Sequence, residues 1–371
     1  MNTDTHLEIF LVCAPGLEPL LLEEVCEHGF TDPVQSPGGV TITGGWPEVW
    51  RANLQLRGAV RVLVRVGAFM AFHLAQLDKR SRKFDWGAVL RTDVPVKVQV
   101  TCKASKIYHA KAAQQRLETA LTESHGITLS ADAEMVIKVR INDNQVSISL
   151  DTSGESLHKR GHKEAVGKAP MRENLAALLL RGCGYNGNEP VVDPMCGSGT
   201  FVIEAAEIAA GLVPGRSRSF AFEQLASFDA DAFAAMRAGG AVKTPRHRFY
   251  GSDRDAGVIR MSKANAERAG VSEWTEFACH GAGEVTPPEG PPGLVMVNPP
   301  YGGRIGNKNL LYALYGTFGQ TMLSRFKGWR VGMVTSEPSL AKSTGLPWKA
   351  LGPPIAHGGM KVWLWQTPPL R

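Results

Sequence analysis

Two hydrophobic periodicities divide this chain. Up to Leu150, short alternations of apolar and polar residues predict strands over Glu8–Cys13, Val40–Thr43, Ala59–Val66, Pro95–Thr101, Met135–Ile141 and Val146–Leu150. The last two are joined by Asn142-Asp143-Asn144, a hairpin turn. Helical spacing covers Leu17–His28, closed by Gly29, then Trp46–Leu54 and Ala110–Glu123. This first half reads as a mixed α+β module. From Met171 onward the pattern changes: the strands become continuous apolar runs and helices separate them. Helices are predicted over Met171–Leu180, Thr200–Ala210 and Ile259–Ala269. Strands are predicted to end at Asp193, over Phe249–Asp253, Thr275–His280, Leu294–Asn298 and Arg330–Thr335, and over Lys361–Gln366 paired with one near Trp348–Leu351. Strand alternating with helix gives an α/β fold with a mainly parallel sheet. Residues 212–247 read as an insertion, helical over Asp231–Arg237, and 151–167 as a polar linker.

Two strand ends carry the candidate chemistry. The run L-V-M-V leads into Asn298-Pro299-Pro300-Tyr301. The two prolines lack amide donors, so the ladder is expected to stop at Asn298. An amide, a rigid turn and a ring then lie at a strand's carboxyl end, where open α/β sheets bind ligands. The Asn298 side-chain carbonyl and the Pro299 carbonyl can accept both hydrogens of an amine on an aromatic base, with Tyr301 stacked on that base. Such a nitrogen is a poor nucleophile because its lone pair is delocalised, and positioning supplies the catalysis.

The second strand end is P-V-V-D-P-M-C-G-S-G-T at 190–200. Asp193 precedes a loop with Gly197 and Gly199, and Thr200 opens a helix. A nicotinamide fingerprint needs a glycine triplet with an acid about 20 residues later; here the next strand-terminal acid, Asp253, comes 54 residues after Gly199. A phosphate loop needs Gly-Lys-Ser/Thr, which is absent. A carboxylate at this turn repels a pyrophosphate and suits a cofactor with an ammonium group and no phosphate, pointing to S-adenosylmethionine. Asp253 is placed to grip ribose hydroxyls.

Composition narrows the setting. The chain has 371 residues, 43% apolar and 20% charged, enough for two or three domains. No apolar window is long enough for a membrane span, and Met1–His6 carries no signal-peptide core. Six cysteines (13, 26, 102, 183, 196 and 279) lack ligand spacing, so neither a metal nor a disulfide framework is expected, and a reduced cytoplasm fits. Between Lys79 and Arg116, ten Lys or Arg face two Asp, which favours a phosphate-bearing partner. Lys103, Lys106, Tyr108 and Lys111 are the candidate RNA contacts there, joined by Arg160 in the linker and Arg304 beyond the Asn-Pro-Pro-Tyr turn.

The pair D-P-M-C-G-S-G-T and N-P-P-Y-G resembles the THUMP-containing RNA methyltransferases. Within them it is most similar to the 23S rRNA guanine-N2 methyltransferases and their standalone relatives, often labelled N6-adenine-specific methylases. A-P-G-L-E at 14–18, L-D-T-S-G-E-S-L-H-K-R-G at 150–161, K-A-P-M-R-E-N-L-A-A at 168–177 and F-Y-G-S-D at 249–253 extend the likeness over nearly the whole chain. The resemblance implies a ferredoxin-like segment at 1–56, a THUMP RNA-binding domain at 57–158 and a seven-stranded Rossmann-like methyltransferase domain at 159–371. It implies that Glu173, Asp193, Pro194, Cys196, Gly197, Ser198, Gly199, Thr200, Asp253 and Asn298 hold S-adenosylmethionine, with S-adenosylhomocysteine as product. Asn298, Pro299, Pro300 and Tyr301 then form the catalytic turn. The chain departs from the family after the third strand, where C-H-G-A-G-E replaces the usual Asp. The expected substrate is a guanine N2 in 23S rRNA, for a protein favoured to be monomeric. The rivals are adenine N6 in RNA or DNA, guanine N2 in tRNA, and an inactive RNA-binding assembly factor.

Overall fold

The computed structural model describes residues 6–164, 171–301, 308–357 and 359–371. Two compact units emerge. The first contains residues up to Cys13, Leu22–Leu157 and Arg218–Gly239; the second contains Ala14–Leu21, His158–Ser217 and Gly240–Arg371.

The first unit is a seven-stranded sheet covered by helices. In chain order it has β1 (Leu7–Val12), α1 (Glu18–Glu27, shared with the second unit), β2 (Thr31–Ser36), β3 (Gly39–Gly44), α2 (Trp46–Gln55), β4 (Arg61–Met70), α3 (Leu74–Lys83), β5 (Val96–Lys103), α4 (Ala110–His125), β6 (Met135–Asn142) and β7 (Gln145–Asp151). The sheet order is β2-β3-β1-β4-β7-β6-β5. Asp143 and Asn144 both adopt positive φ (50° and 61°), the left-handed pair that a tight hairpin between β6 and β7 requires. Two elements were missing from the expected set. β2 (T-D-P-V-Q-S) has no buried position, and α3 (L-A-Q-L-D-K-R-S-R-K) buries only Leu77 and Ser81, so neither leaves an apolar pattern.

The segment Arg218–Gly239, expected as part of an insertion, packs within the first unit for a clear reason. Phe222, Phe228 and Phe233 surround Trp50, and Phe220 packs on Phe222 and Phe233, with ring centroids 5.0–6.3 Å apart in edge, tilted and stacked pairs. Aromatic burial of this kind is worth more than its area alone.

The second unit has the expected α/β architecture. It runs α5 (Glu173–Gly182), β8 (Val191–Asp193), α6 (Thr200–Ala209), α7 (Ala230–Ala238, which belongs to the first unit), β9 (Phe249–Asp253), α8 (Ala256–Ala269), β10 (Thr275–Cys279), β11 (Leu294–Val297), α9 (Lys308–Arg325), β12 (Arg330–Thr335), α10 (Pro338–Ser343), β13 (Lys349–His357) and β14 (Met360–Gln366). The sheet order is β10-β9-β8-β11-β12-β14-β13, parallel except at β14, which runs antiparallel to both neighbours. The order reverses between β8 and β11, a switch point where such sheets leave a crevice at the strands' carboxyl ends. β11 stops at Val297, one residue before the expected end, because the ladder already lacks a partner at Asn298. Leu294 to Val297 are all fully buried, as a central parallel strand demands.

Candidate active site

Three adjacent strands deliver the predicted residues to one edge. β9 ends in Asp253, β8 in Asp193, and β11 runs into Asn298; β8 lies hydrogen-bonded between the other two. The loop after β8 is held from below. Gly197 N–H donates to Asp253 Oδ2 (3.2 Å), Ser262 Oγ donates to the Gly197 carbonyl (2.7 Å), and Asn265 Nδ2 donates to the Ser198 carbonyl (3.1 Å). Gly197 (φ 51°) and Gly199 (φ 83°) need the left-handed region that glycine adopts freely. A Cβ placed on Gly197 would meet nothing within 4 Å, so the loop opens onto free space; one on Gly199 would press on Phe277 and Ser262 at 3.1 Å. Ser262 and Asn265 went unnoticed in the sequence, although polar residues on the sheet-facing side of α8 are a signal of that kind.

Asp193 is 2% exposed. Burial pushes its carboxyl well above the usual carboxylate range; the Met195 amide, donating at 3.1 Å, opposes this, and the Asp253 charge adds to it. No cationic side chain pairs with Asp193 among the described residues. A buried carboxyl with no cation beside it among the described residues could take a positively charged group. Pro194, Cys196, Ser198 and Thr200 lie in the same loop and helix start, with Cys196 buried and its thiol pushed up, chiefly by burial. Past β10, Glu284 Oε1 accepts the Gly281 amide (3.1 Å) and so closes that turn.

At the end of β11 the Asn298 Oδ1 atom is buried and has no hydrogen-bond partner among the described residues. Such an acceptor normally costs about 1–3 kcal/mol. The following turn is braced: Tyr315 on α9, fully buried, donates its hydroxyl to the Pro300 carbonyl (3.3 Å) and lies 3.5 Å from Thr335 Oγ1. Tyr315 is a positioning residue that the sequence reading missed. Tyr301 is 1% exposed, so the expected stacking of a base on its ring is not available in this conformation. Arg304 lies outside the described residues.

Arg160 requires a correction. Expected at an RNA surface, it is 3% exposed and its Nη1 is bound to Glu204 and, at 3.0 Å, to Glu207, both on α6. Burial alone would lower its pKa, but Glu204, Glu207 and Glu173 together outweigh that and keep the guanidinium charged. The reason is α6 itself: two glutamates on an apolar helix need cations, and Arg160 and Arg216 (2.6 Å to Glu207 Oε1) supply them. His162, Lys163, Glu173 and Thr200 line a small cleft with these groups. Lys163 Nζ is 3.5 Å from Glu173 Oε1, yet burial moves both toward neutrality, Lys163 down and Glu173 up, against their mutual attraction. The remaining RNA candidates, Lys103, Lys106, Tyr108 and Lys111, are all exposed in the first unit.

A Rossmann-like sheet with an acidic strand end, a glycine loop and an Asn-Pro-Pro-Tyr turn defines a methyltransferase catalytic domain. Comparison places it further. The RMKL-like methyltransferase domain matches residues 160–347, and the RlmL ferredoxin-like domain matches residues 8–63. The chain is 30% identical over 362 residues to a Synechocystis protein provisionally named an RNA methyltransferase, covering 95% of this chain and 94% of that one. It is 32% identical over 355 residues to the ribosomal RNA large subunit methyltransferase K/L of Psychromonas ingrahamii, covering 92% of this chain but only 47% of that protein. The structure of SMU.472, provisionally called a methyltransferase and solved with S-adenosylhomocysteine, superposes with a TM-score of 0.87 at 26% identity over 98% of both chains. The chain belongs to the RMKL-like family of S-adenosylmethionine-dependent RNA methyltransferases. Among the described residues no group of His, Cys, Asp or Glu could hold a metal, and no helix is long and apolar enough to cross a membrane.

Proposed function

We propose that this protein methylates the exocyclic N2 amine of a guanine in RNA, with large-subunit ribosomal RNA as substrate, acting in the cytoplasm. The observation that carries the reading is the buried Asn298 Oδ1, unpartnered among the described residues, beside the Asp193 edge. S-adenosylmethionine supplies the methyl group as an electrophilic sulfonium. Asp193 and the Gly197–Gly199 loop hold its amino-acid end, Glu173 closes that end, and Asp253 takes the ribose hydroxyls. Asn298 Oδ1 and the Pro299 carbonyl accept the two N–H hydrogens of the target amine, which turns its lone pair out of conjugation. Pro300 fixes the turn, and Tyr315 anchors it from below. The amine leaves the reaction more acidic than it entered, so water can take the proton and no positioned base is needed. The large-subunit assignment is supported by the name of the K/L relative.

The test is methyl transfer from labelled S-adenosylmethionine to unmodified large-subunit rRNA, with tRNA and DNA in parallel, followed by nucleoside analysis. Label in N2-methylguanosine from the large rRNA alone is the expected result. Label in N6-methyladenosine would overturn the base, label in tRNA the substrate, and none anywhere the activity.

A further inference from the structure

The strand beside the catalytic turn leads into an acid to which the proposed reaction gives no role. β11 and β12 are parallel neighbours whose last shared pair is Val297 with Met333. Asn298-Pro299-Pro300 and Thr335-Ser336-Glu337 therefore leave the sheet side by side at its carboxyl edge. A series of polar contacts joins them. The Tyr315 hydroxyl lies 3.3 Å from the Pro300 carbonyl and 3.5 Å from Thr335 Oγ1, and the Glu337 amide donates to that same Thr335 Oγ1 (3.2 Å). Tyr315 and Thr335 are fully buried, so water does not compete for this link. Burial chiefly pushes the Tyr315 hydroxyl's pKa up; the Thr335 contact opposes the rise, and Tyr301 and Glu337 each add to it. Both side chains thus act on one hydroxyl at the turn.

Helix capping does not explain this acid. Glu337 is the N-cap of α10, a position that favours Ser, Thr, Asp or Asn, and its side chain makes no capping hydrogen bond. It is half-buried, whereas Pro338 and Ser339 after it are exposed. The target base offers a reason. On guanine the N2 amine and N1–H share one edge and both donate, while adenine presents an acceptor at N1. Asn298 Oδ1 and the Pro299 carbonyl take the two amine hydrogens, which leaves N1–H to be met from the neighbouring strand end.

We infer that Glu337 accepts the N1–H of the target guanine and so selects guanine N2 over adenine N6. A carboxylate there makes a charge-assisted bond to guanine and sets acceptor against acceptor on adenine. The inference rests on the proposed reaction and adds the residue that reads the base.

The experiment maps the guanosine that wild type methylates in large-subunit rRNA, then rebuilds that RNA segment with guanosine or 2-aminopurine riboside at the one position. 2-Aminopurine keeps the N2 amine and has no N1–H. Wild type should favour guanosine in kcat/KM by about 10- to 150-fold, the worth of a charge-assisted hydrogen bond. The Glu337→Gln amide can donate to the bare N1 and should narrow that preference about tenfold or more. Glu337→Ala should narrow it too, and S-adenosylhomocysteine affinity of both variants, by calorimetry, should change less than about threefold. A merely structural role would lower both rates together and leave their ratio unchanged. Equal rates of wild type on the two RNAs, or a wild-type ratio in folded Glu337→Gln and Glu337→Ala, overturns the inference. The two failures separate: N2-methylguanosine formed with an unaltered ratio defeats Glu337 alone, and its absence from the wild-type product defeats the proposed reaction together with this role.

Discussion

Replacing Arg160 by Met tests whether this residue is structural, as the fold indicates, or an RNA contact, as its basic neighbourhood suggested. Methionine keeps the length and removes the charge. Arg160, Glu204 and Glu207 are all at most 3% exposed, so the change strips a guanidinium from two buried carboxylates. Glu207 keeps Arg216 at 2.6 Å, and Glu204 loses its contact with Arg160. Removing one partner of a buried ion pair typically costs about 3–5 kcal/mol. For a unit of this size that is roughly 6–20 °C in melting temperature, or about 1–2 M in the urea midpoint. Urea unfolding followed by circular dichroism gives both midpoint and slope. Adding Glu204→Leu to Arg160→Met should restore part of the loss, since replacing both partners of a buried pair by apolar groups costs less than removing one. Affinity for RNA and its salt slope should stay at wild-type values. A midpoint within about 0.2 M of wild type, or a salt slope reduced by about one, would refute the reasoning.

Asn298→Ala is expected to lower methyl transfer by about 100-fold or more while S-adenosylhomocysteine affinity, by calorimetry, changes less than about threefold; wild-type turnover would remove the residue from the chemistry. Asp193 gives a pH signature. Because its folded carboxyl is raised, the native protein holds a proton that the unfolded chain releases above the ordinary carboxylate range, so the group's contribution to stability falls as pH rises through that window. A ligand ammonium favours the ionised form, so S-adenosylhomocysteine affinity should rise with pH below the folded pKa, with proton release visible as a buffer-dependent binding enthalpy; uptake of a proton instead would contradict the assignment. Gly199→Ala forces a side chain to φ 83° and against Phe277 and Ser262 at 3.1 Å, a cost of at least about 1–2 kcal/mol from the backbone alone, read as a lower melting temperature and weaker cofactor binding. Gly197→Ala meets no neighbour within 4 Å and should pay only the backbone cost.

Much of the second unit was legible because its strands end in residues that cannot continue a ladder. Pro-Pro closes β11, and the strand-loop-helix run at 190–200 marks β8 and α6. Elements without a clean stripe stayed hidden. α9 carries apolar residues all round, from Leu310 and Leu311 through Tyr312, Tyr315 and Phe318, and contains Gly316 and Gly319, so it has no single face to read. Gly319 is there because any Cβ would fall 1.8 Å from the Thr344 carbonyl of the neighbouring α10 segment. Arg160 was misread for a related reason. A cluster of Lys, Arg and His looks like solvated charge, and its partners are 44 and 47 residues away, on a helix whose two acids stand out only against its apolar neighbours. Pairing across that distance is a tertiary fact, and a local pattern does not contain it.

Some buried polar groups of this protein are answered within the fold, and others, at the strand ends that carry the predicted residues and elsewhere, are not. In the first unit Asn53 is answered on both ends, by the Val49 carbonyl, Thr152 Oγ1 and Ser153 Oγ. In the second, the α6 glutamates are answered by arginines. At the carboxyl edge of β8 and β11 the accounting is left open: Asp193 is buried without a cation, and Asn298 Oδ1 without a donor, among the described residues. Packing would favour replacing both by apolar side chains, because uncompensated burial of a carboxyl and an amide is destabilising. Fold stability therefore does not account for them. A positively charged ligand for one and an amine donor for the other would, as the proposed reaction requires.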